Sequence, residues 1–137
     1  INVETYCREV IGLLFSYSPN TVEQNFKQVI RYLTPKFIQA YKGKIGSEFV
    51  DSVTKNNIVQ MSNIVSITIK NLSESGFSSE ILTSRLRSDE VIRRTTEDMV
   101  LITLTMVRGT ISVENPWGLY VDMVVENLRS VNTGGGK

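Results

Sequence analysis

The sequence predicts an α+β domain in which three helices pack on one side of a four-stranded antiparallel sheet. In the first part of the chain, apolar residues recur at spacings of three and four, which is typical of amphipathic helices. From about residue 61 onward they recur at every second position, which is typical of strands with one buried face. Because the helical and strand-like patterns are segregated along the chain, the domain is expected to be α+β rather than α/β.

The first helix is predicted over roughly residues 2 to 16. Its apolar stripe consists of Val3, Tyr6, Cys7, Val10, Ile11, Leu14 and Tyr17. Cys7 is the only cysteine in the chain and lies on this stripe. We therefore interpret it as a small buried hydrophobic residue rather than as a nucleophile.

Pro19 marks the start of a second helix, because proline suits the first turn of a helix and cannot continue a preceding one. Either Ser18 or Asn20 is the predicted N-cap. The buried stripe of this helix is predicted to contain Val22, Phe26, Val29, Ile30 and Leu33.

Pro35 opens the predicted third helix. Its apolar stripe contains Ile38, Tyr41, Ile45, Phe49 and Val53. Gly43 and Gly46 weaken the helix in the middle, where they would let another part of the backbone approach closely.

Four strands follow the end of the helical period near Asn57. The first strand is predicted to turn Val65, Ile67 and Ile69 toward the core, and a turn over residues 73 to 76 follows it. The tract from 78 to 94 fits a capped helix about as well as an irregular strand. The short turn before it favours a strand with a bulge, paired with the first strand as a hairpin.

The last two strands show the clearest alternation. Their predicted inward residues are Val100, Ile102, Leu104 and Met106 in the third strand, and Leu119, Val121, Met123 and Val125 in the fourth. We expect one core, built from the sheet together with helix residues that include Val10, Phe26, Ile30, Tyr41 and Phe49. Ile64 and Val124 fall on the opposite face, which is expected to be exposed and to invite pairing.

Composition limits both the domain organisation and the function. With 137 residues and 41% hydrophobic content, the chain is expected to form a single domain over residues 1–129, followed by a tail over 130–137 that is disordered or derived from cloning. The chain begins with Ile1, so we interpret it as part of a longer protein. Its formal net charge of +1 gives no reason to expect a nucleic-acid partner. The absence of histidine and the single cysteine predict no metal site, no cofactor and no internal disulfide.

Three local groups of residues could carry chemistry, but each has a simpler interpretation. The glycine-lysine segments at 43–46 and 134–137 lack the spacing of a phosphate loop. A basic cluster, broken by two acidic residues, predicts a mixed, solvated sheet edge, with a surface for an anionic partner or lipid headgroups as the alternative. The members of this cluster are Arg85, Arg87, Arg93 and Arg94. Tyr120, Asp122 and Glu126 could perform enolisation chemistry, but they are predicted to point away from any pocket.

The most specific local sequence lies just before the fourth strand. Pro116 restricts Asn115 to extended geometry, and Gly118 permits a turn conformation that other residues resist. These features predict a turn that leads into the strand. Trp117, at the centre of the turn, is expected either to fold back onto the core or to be offered to a partner.

The spacing Asn-Pro-x-Gly-x-x-Val, formed by Asn115, Pro116, Gly118 and Val121, resembles the motif of the bitopic eighth component of VirB-type bacterial secretion systems. The tract from Tyr6 to Ile69 is similar to TraE of conjugative plasmids, which belongs to the same structural group. This resemblance implies a nuclear-transport-factor-like (cystatin-like) cone, in which the helices are held in a strongly curved sheet. It also implies a periplasmic domain behind a single inner-membrane helix that is absent from this chain.

The same resemblance implies a non-catalytic assembly subunit of a type IV secretion system. Such a subunit would form a weak homodimer and contact the channel scaffold and other secretion components. Asn115, Pro116, Trp117, Gly118 and Val121 would form the turn motif through which it acts. The alternative is a small-ligand-binding protein or isomerase with the same cone-shaped fold, which an inward-facing acid in the cone would favour.

Overall fold

The computed structural model describes residues 2–134, in which helices precede a four-stranded sheet. The helices are α1 Val3–Phe15, α2 Val22–Val29, α3 Pro35–Tyr41 and α4 Ser47–Asn56, with short 3-10 segments at Ile30–Tyr32 and Lys42–Lys44. The strands are β1 Ile58–Ser73, β2 Gly76–Asp89, β3 Arg94–Arg108 and β4 Leu119–Gly134. All neighbouring strands are antiparallel, in the order β1-β2-β3-β4. The predicted α+β fold is confirmed.

Two helix starts illustrate how far local sequence signals hold. Pro35 occupies the first turn of α3 as predicted, and the Oγ1 of Thr34 caps the helix by accepting a hydrogen bond from a backbone N–H in that turn. The N-cap position of α2 is Thr21, not Ser18 or Asn20. Residues 18 to 21 form a turn before α2 begins, closed by a hydrogen bond from the backbone N–H of Thr21 to the carbonyl of Ser18.

The predicted third helix is divided into α3 and α4. The chain leaves α3 after Tyr41, passes through the 3-10 segment and resumes helical geometry at Ser47. At Gly46 a Cβ atom would lie 2.7 Å from the carbonyl oxygen of Lys42, and the Gly46 N–H donates to that oxygen at 2.8 Å. The close backbone approach allowed by this glycine therefore lies where the helix is interrupted.

The tract from 78 to 94 forms β2, the turn after it and the first residue of β3. A two-residue turn joins β1 to β2, as the predicted hairpin requires, and β2 pairs with β3 without a register shift. The irregularity predicted for β2 lies in β1 instead. Because β2 itself contains no bulge, its alternation is unbroken, and Ile81 and Thr83 are both buried on its inner face.

A main core lies between α1 and the sheet. Its fully buried residues include Tyr6, Val10, Ile11, Ile81, Ile102, Leu104, Met106, Leu119 and Val121. Cys7 is also fully buried, with its Sγ 3.8 Å from the Sδ of Met106, so its interpretation as a hydrophobic core residue is confirmed.

A second, smaller cluster packs between α2, α4 and the start of β1. It consists of Tyr17, Val22, Val53 and Ile58, with Phe49 against it, so the prediction that Phe49 belongs to one common core is wrong. The prediction for Ile30 is also wrong, because its side chain is 38% exposed. The chain tightens into 3-10 geometry at this residue, and Tyr32 and Leu33 take the inward positions.

A bulge in β4 changes which face the later residues occupy. Val121 pairs with Met106 and Met123 pairs with Thr105, so Asp122 is an extra residue. Leu119 and Val121 are buried as predicted. Beyond the bulge the prediction is wrong: Met123 and Val125 are 48% and 44% exposed, whereas Val124 packs against the core.

A bulge in β1 likewise changes which face of the sheet its residues occupy. Ile64 and Ser66 pair with consecutive residues of β2, which leaves Val65 as the extra residue. Val65 is 58% exposed and Ile69 is 38% exposed, so their predicted burial is wrong. Ile67 packs against the core as predicted, and so does Ile64, which was expected on the exposed face.

The backbone of β4 continues to Gly134, which pairs with Thr95 of β3. The boundary predicted at residue 129 therefore falls within a strand, and the rest of the predicted tail, residues 135–137, lies outside the described residues. None of the helices in residues 2–134 is long and apolar enough to cross a membrane.

Candidate functional site

The turn before β4 is tied to two other parts of the fold through Asn115. This side chain is only 1% exposed. Its Nδ2 donates a hydrogen bond to the carbonyl of Leu119 at 2.8 Å and a longer one to the carbonyl of Arg31 at 3.4 Å. Asn115 therefore links the loop after β3 both to the start of β4 and to the segment that follows α2.

The other motif residues also contribute to this anchoring. Gly118 has a φ of +64°, which confirms the predicted turn conformation, and a Cβ there would lie 2.7 Å from a side-chain carbon of Ile111. Trp117 folds back against Tyr6, with the ring centroids 6.0 Å apart in an edge-to-face arrangement. Val121 is buried, and Pro116 is exposed. The structure thus brings the predicted motif together around the start of β4, with most of it turned inward.

At the other end of α1, an open cleft of about 250 Å³ lies between the helices and the inner face of the sheet. Its lining combines charged and aromatic side chains. The lining residues are Leu14, Phe15, Tyr17, Tyr41, Lys44, Phe49, Gln60, Arg85, Arg87 and Glu126. Pattern reasoning did not identify this cleft, because its walls come from segments far apart in the chain.

Among the described residues that line the cleft, Glu126 is the only carboxylate, and its predicted position facing away from any pocket is wrong. The bulge at Asp122 reverses the phase of β4 and turns Glu126 inward. Its Oε1 lies 2.7 Å from the Nη2 of Arg85, and its Oε2 accepts a hydrogen bond from the Tyr41 hydroxyl at 3.2 Å and lies 3.6 Å from the Nζ of Lys44. Burial by itself would raise the pKa of Glu126, but the charge of Arg85, followed by Lys44 and the Tyr41 hydroxyl, lowers it overall.

Glu126 is thereby separated from Tyr120 and Asp122, with which it was predicted to share a face of the sheet. The Oδ1 of Asp122 accepts a hydrogen bond from the Thr34 hydroxyl at 2.9 Å, at the start of α3. The Tyr120 hydroxyl donates to the carbonyl of Thr110 at 2.7 Å, in the loop before β4. The three residues therefore do not form a joint catalytic group.

The predicted basic cluster is also divided. Arg93 and Arg94 are exposed at the β2–β3 turn, whereas Arg85 and Arg87 line the cleft, so the prediction of a solvated edge is wrong for the latter pair. The alternation of Ile81 and Thr83, both buried, continues through residues 85 and 87 and places all four on one face. This signal was present in the sequence and could have indicated the inward orientation.

Arg87 is held by a polar network on the cleft wall. Its Nη1 donates to the Tyr17 hydroxyl at 2.9 Å and to the Oε1 of Gln60 at 3.0 Å. The Nε2 of Gln60 in turn donates to the carbonyl of Phe15 at 2.8 Å. This network fixes the guanidinium group relative to the end of α1.

Replacing Glu126 by glutamine is expected to lower the free energy of unfolding at neutral pH by about 1 to 3 kcal/mol, because Arg85 loses its anionic partner. The folded-state pKa of Glu126 is lowered, so its charge stabilises the fold above the unfolded-state pKa of about 4.3, and this stabilisation is lost as the pH falls through the folded-state pKa. Urea unfolding should show the difference from wild type shrinking below about pH 4. The exposed Glu80→Gln serves as control, and an equal pH dependence in both variants would contradict the assignment.

Comparison with known proteins rests on structure. No protein-family model and no curated protein sequence matches the chain. The TrwG component of a type IV secretion system from Bartonella birtlesii matches with a TM-score of 0.73 at 15% identity, covering 93% of this chain and 91% of TrwG. VirB8 of Agrobacterium tumefaciens matches with a TM-score of 0.71 at 15% identity, covering 95% and 92%. A TraE protein solved in complex with 2-(2-furyl)isonicotinic acid matches with a TM-score of 0.72 at 17% identity, covering 93% and 95%.

These matches extend over nearly the whole of each chain, so they concern the complete architecture and not one supersecondary motif. They confirm the predicted resemblance at the level of the fold, including its nuclear-transport-factor-like class. The chain has the fold shared by TrwG, VirB8 and TraE.

Proposed function

We propose that this chain is the periplasmic domain of an inner-membrane subunit of a type IV secretion or conjugation system. The observation that carries the proposal is the structural match to TrwG, which covers 93% of this chain and 91% of that component. The turn motif at 115–121 supports it independently, because its resemblance to the motif of the VirB-type component lies in the amino-acid sequence and not in the fold. In this role the domain contacts the channel scaffold and other subunits through its surface and performs no chemistry.

The cleft provides a specific reason to consider the alternative function, since an inward-facing acid was the feature expected of an isomerase. The lowered pKa of Glu126 argues against an isomerase. An effective general base has a pKa near the working pH, whereas Arg85 and Lys44 lower the pKa of Glu126. Burial, together with the charge of Glu126, raises the pKa of Tyr41 and makes it a poor proton donor. We therefore assign the ion pair a structural or recognition role.

Weak self-association is part of the proposal, but its surface differs from the predicted one. Ile64 and Val124 pack on the core and are unavailable to a second copy. The outer face of the sheet instead exposes Met61, Leu86 and Met123. Large apolar side chains exposed on one sheet face favour pairing with another surface.

The turn motif is proposed to position this assembly surface rather than to form it. Asn115 is buried and Trp117 packs on Tyr6, so neither side chain could turn outward to contact a partner without loosening the loop. What a partner would meet is the exposed part of the same loop, including Pro116 and Ile111. The motif thus acts by holding the loop in one conformation.

Two single variants, Trp117→Ala and Gly118→Val, are each expected to reduce DNA transfer in a conjugation assay with the full-length protein. Each is also expected to lower the free energy of unfolding by about 1 to 3 kcal/mol. The reasons are loss of the contact with Tyr6 and strain at a positive φ. Stability, self-association by sedimentation and transfer should be measured together. Gly43→Ala is the control, because a Cβ there meets nothing within 4 Å. Wild-type transfer and association in Trp117→Ala would overturn the role given to the turn.

A further inference from the structure

The cleft at the end of α1 contains more positive than negative charge. Of the described residues that line it, Lys44, Arg85 and Arg87 are basic and only Glu126 is acidic. Arg85 and Lys44 share that carboxylate, at 2.7 and 3.6 Å. In the part of the chain whose side chains are described, Arg87 forms no ion pair, and its hydrogen bonds go to the neutral Tyr17 hydroxyl and Gln60 amide oxygen.

Donor groups in the cleft also remain unused. The Nε of Arg85 is buried and has no hydrogen-bond partner among the described residues. A buried donor without a partner is costly, so such a group is a natural place for a ligand acceptor. Arg87 has further N–H groups beyond the Nη1 that contacts Tyr17 and Gln60. Both arginines therefore retain N–H donors that no described residue accepts.

Both arginines contact aromatic side chains of the cleft wall. The guanidinium carbon of Arg85 lies 5.2 Å from the ring centroid of Phe15. Tyr17 and Phe49 pack edge to face with their centroids 5.2 Å apart. A partly desolvated charge interacts more strongly with an opposite charge, and aromatic walls can also accommodate the aliphatic part of an incoming side chain.

We propose that this cleft is a docking site for an acidic segment of a partner polypeptide, which places an aspartate or glutamate carboxylate against Arg87 and the Nε–H of Arg85. Charge complementarity identifies the ligand, since the lining carries a net charge of about +2 and arginine binds carboxylates through paired N–H donors. The open shape of the cleft and its volume of about 250 Å³ suit one inserted side chain. The inference rests on the proposed function only in taking the partner to be a polypeptide.

The test is a titration of the isotopically labelled domain, followed by NMR, with the blocked peptide acetyl-Ala-Ala-Glu-Ala-Ala-amide. A matched peptide with Gln in place of Glu is the control. The glutamate peptide should shift the backbone amides of cleft residues, with an affinity about tenfold higher than that of the glutamine peptide, because a charge-assisted hydrogen bond is replaced by a neutral one. Equal affinities, or shifts confined to the outer face of the sheet, would overturn the proposal.

Variants assign the binding to the named residues. Arg87→Met should weaken binding of the glutamate peptide about tenfold, Arg87→Lys should weaken it less, and Glu126→Gln should strengthen it by removing the competing carboxylate. Arg94→Met, at the exposed β2–β3 turn, should leave binding unchanged. A well-dispersed spectrum shows that each variant is folded. Unchanged binding in folded Arg87→Met would overturn the assignment.

Sodium acetate distinguishes a polypeptide from a small carboxylate. If acetate binds the cleft as tightly as the glutamate peptide, the polypeptide partner is refuted. Failure of the peptide experiment leaves the proposed secretion role intact, because that role is tested by transfer in the Trp117→Ala and Gly118→Val proteins. Conversely, normal transfer in those proteins leaves the measured peptide affinity unaffected.

Discussion

Replacing Leu104 by alanine is expected to lower the free energy of unfolding by about 2 to 5 kcal/mol. Leu104 lies in β3, is fully buried and belongs to the main core between α1 and the sheet. The truncation removes buried apolar surface and leaves a cavity. The backbone of β3 cannot readily move to fill it, because β3 is hydrogen-bonded to β2 on one edge and to β4 on the other. Urea unfolding followed by circular dichroism measures the change.

Met123→Ala is the matched control for this prediction. Met123 is 48% exposed on β4, next to the bulge at Asp122, and its truncation should change stability by less than about 0.5 kcal/mol. Strict alternation from Leu119 would instead bury Met123. A loss of several kcal/mol at Met123, or of only a few tenths at Leu104, would show that the strand phase is wrong.

Gly76→Ala is expected to lower the free energy of unfolding by about 3 kcal/mol. A Cβ at this position would overlap the carbonyl oxygen of Met106 and would lie 3.1 Å from the Cα of Val107. Both are backbone atoms of the neighbouring strand, so no side-chain rotation can relieve the overlap. The beginning of β2 must separate from the end of β3, and thermal and urea unfolding should both report the loss.

Gly12→Ala provides the contrast. Gly12 is exposed in the interior of α1, and a Cβ there would meet nothing within 4 Å. Alanine has the higher helix propensity, so this variant should be stabilised by about 0.5 to 1 kcal/mol. If Gly76→Ala were as stable as wild type while Gly12→Ala behaved as expected, the close approach of β2 to β3 would be disproved.

The sequence predicted much of the fold because the relevant signals are local. The alternation from Val100 to Met106 defined β3 and its buried face, and Pro35 marked the start of α3. The bulges at Val65 and Asp122 escaped prediction for a physical reason: an extra residue is recognisable only against the partner strand, and the partner is not known from periodicity alone.

The turn before β4 and the cleft at the end of α1 also differ in how far local sequence could predict them. The turn at Gly118 was predictable, because its conformation depends on the residue itself. The cleft was not predictable, because Glu126 faces it only as a result of the bulge in β4. In addition, Tyr41 and Lys44, which contact Glu126 there, precede it by more than eighty residues in the chain. The contact between Trp117 and Tyr6 likewise depends on how α1 is laid across the sheet.

The bulge in β4 makes the number of residues in that strand as important as their identity. Deleting Asp122 would remove this bulge and reverse the orientation of the residues between it and the second register shift of the strand, which lies between Leu128 and Ser130. Val125 would then face the cleft and Glu126 the outer surface. The cleft would lose the carboxylate that pairs with Arg85 and Lys44, and the outer face would exchange an apolar side chain for an acidic one. For this protein, a one-residue length difference at position 122 in a natural variant would therefore alter the chemistry of two surfaces at once.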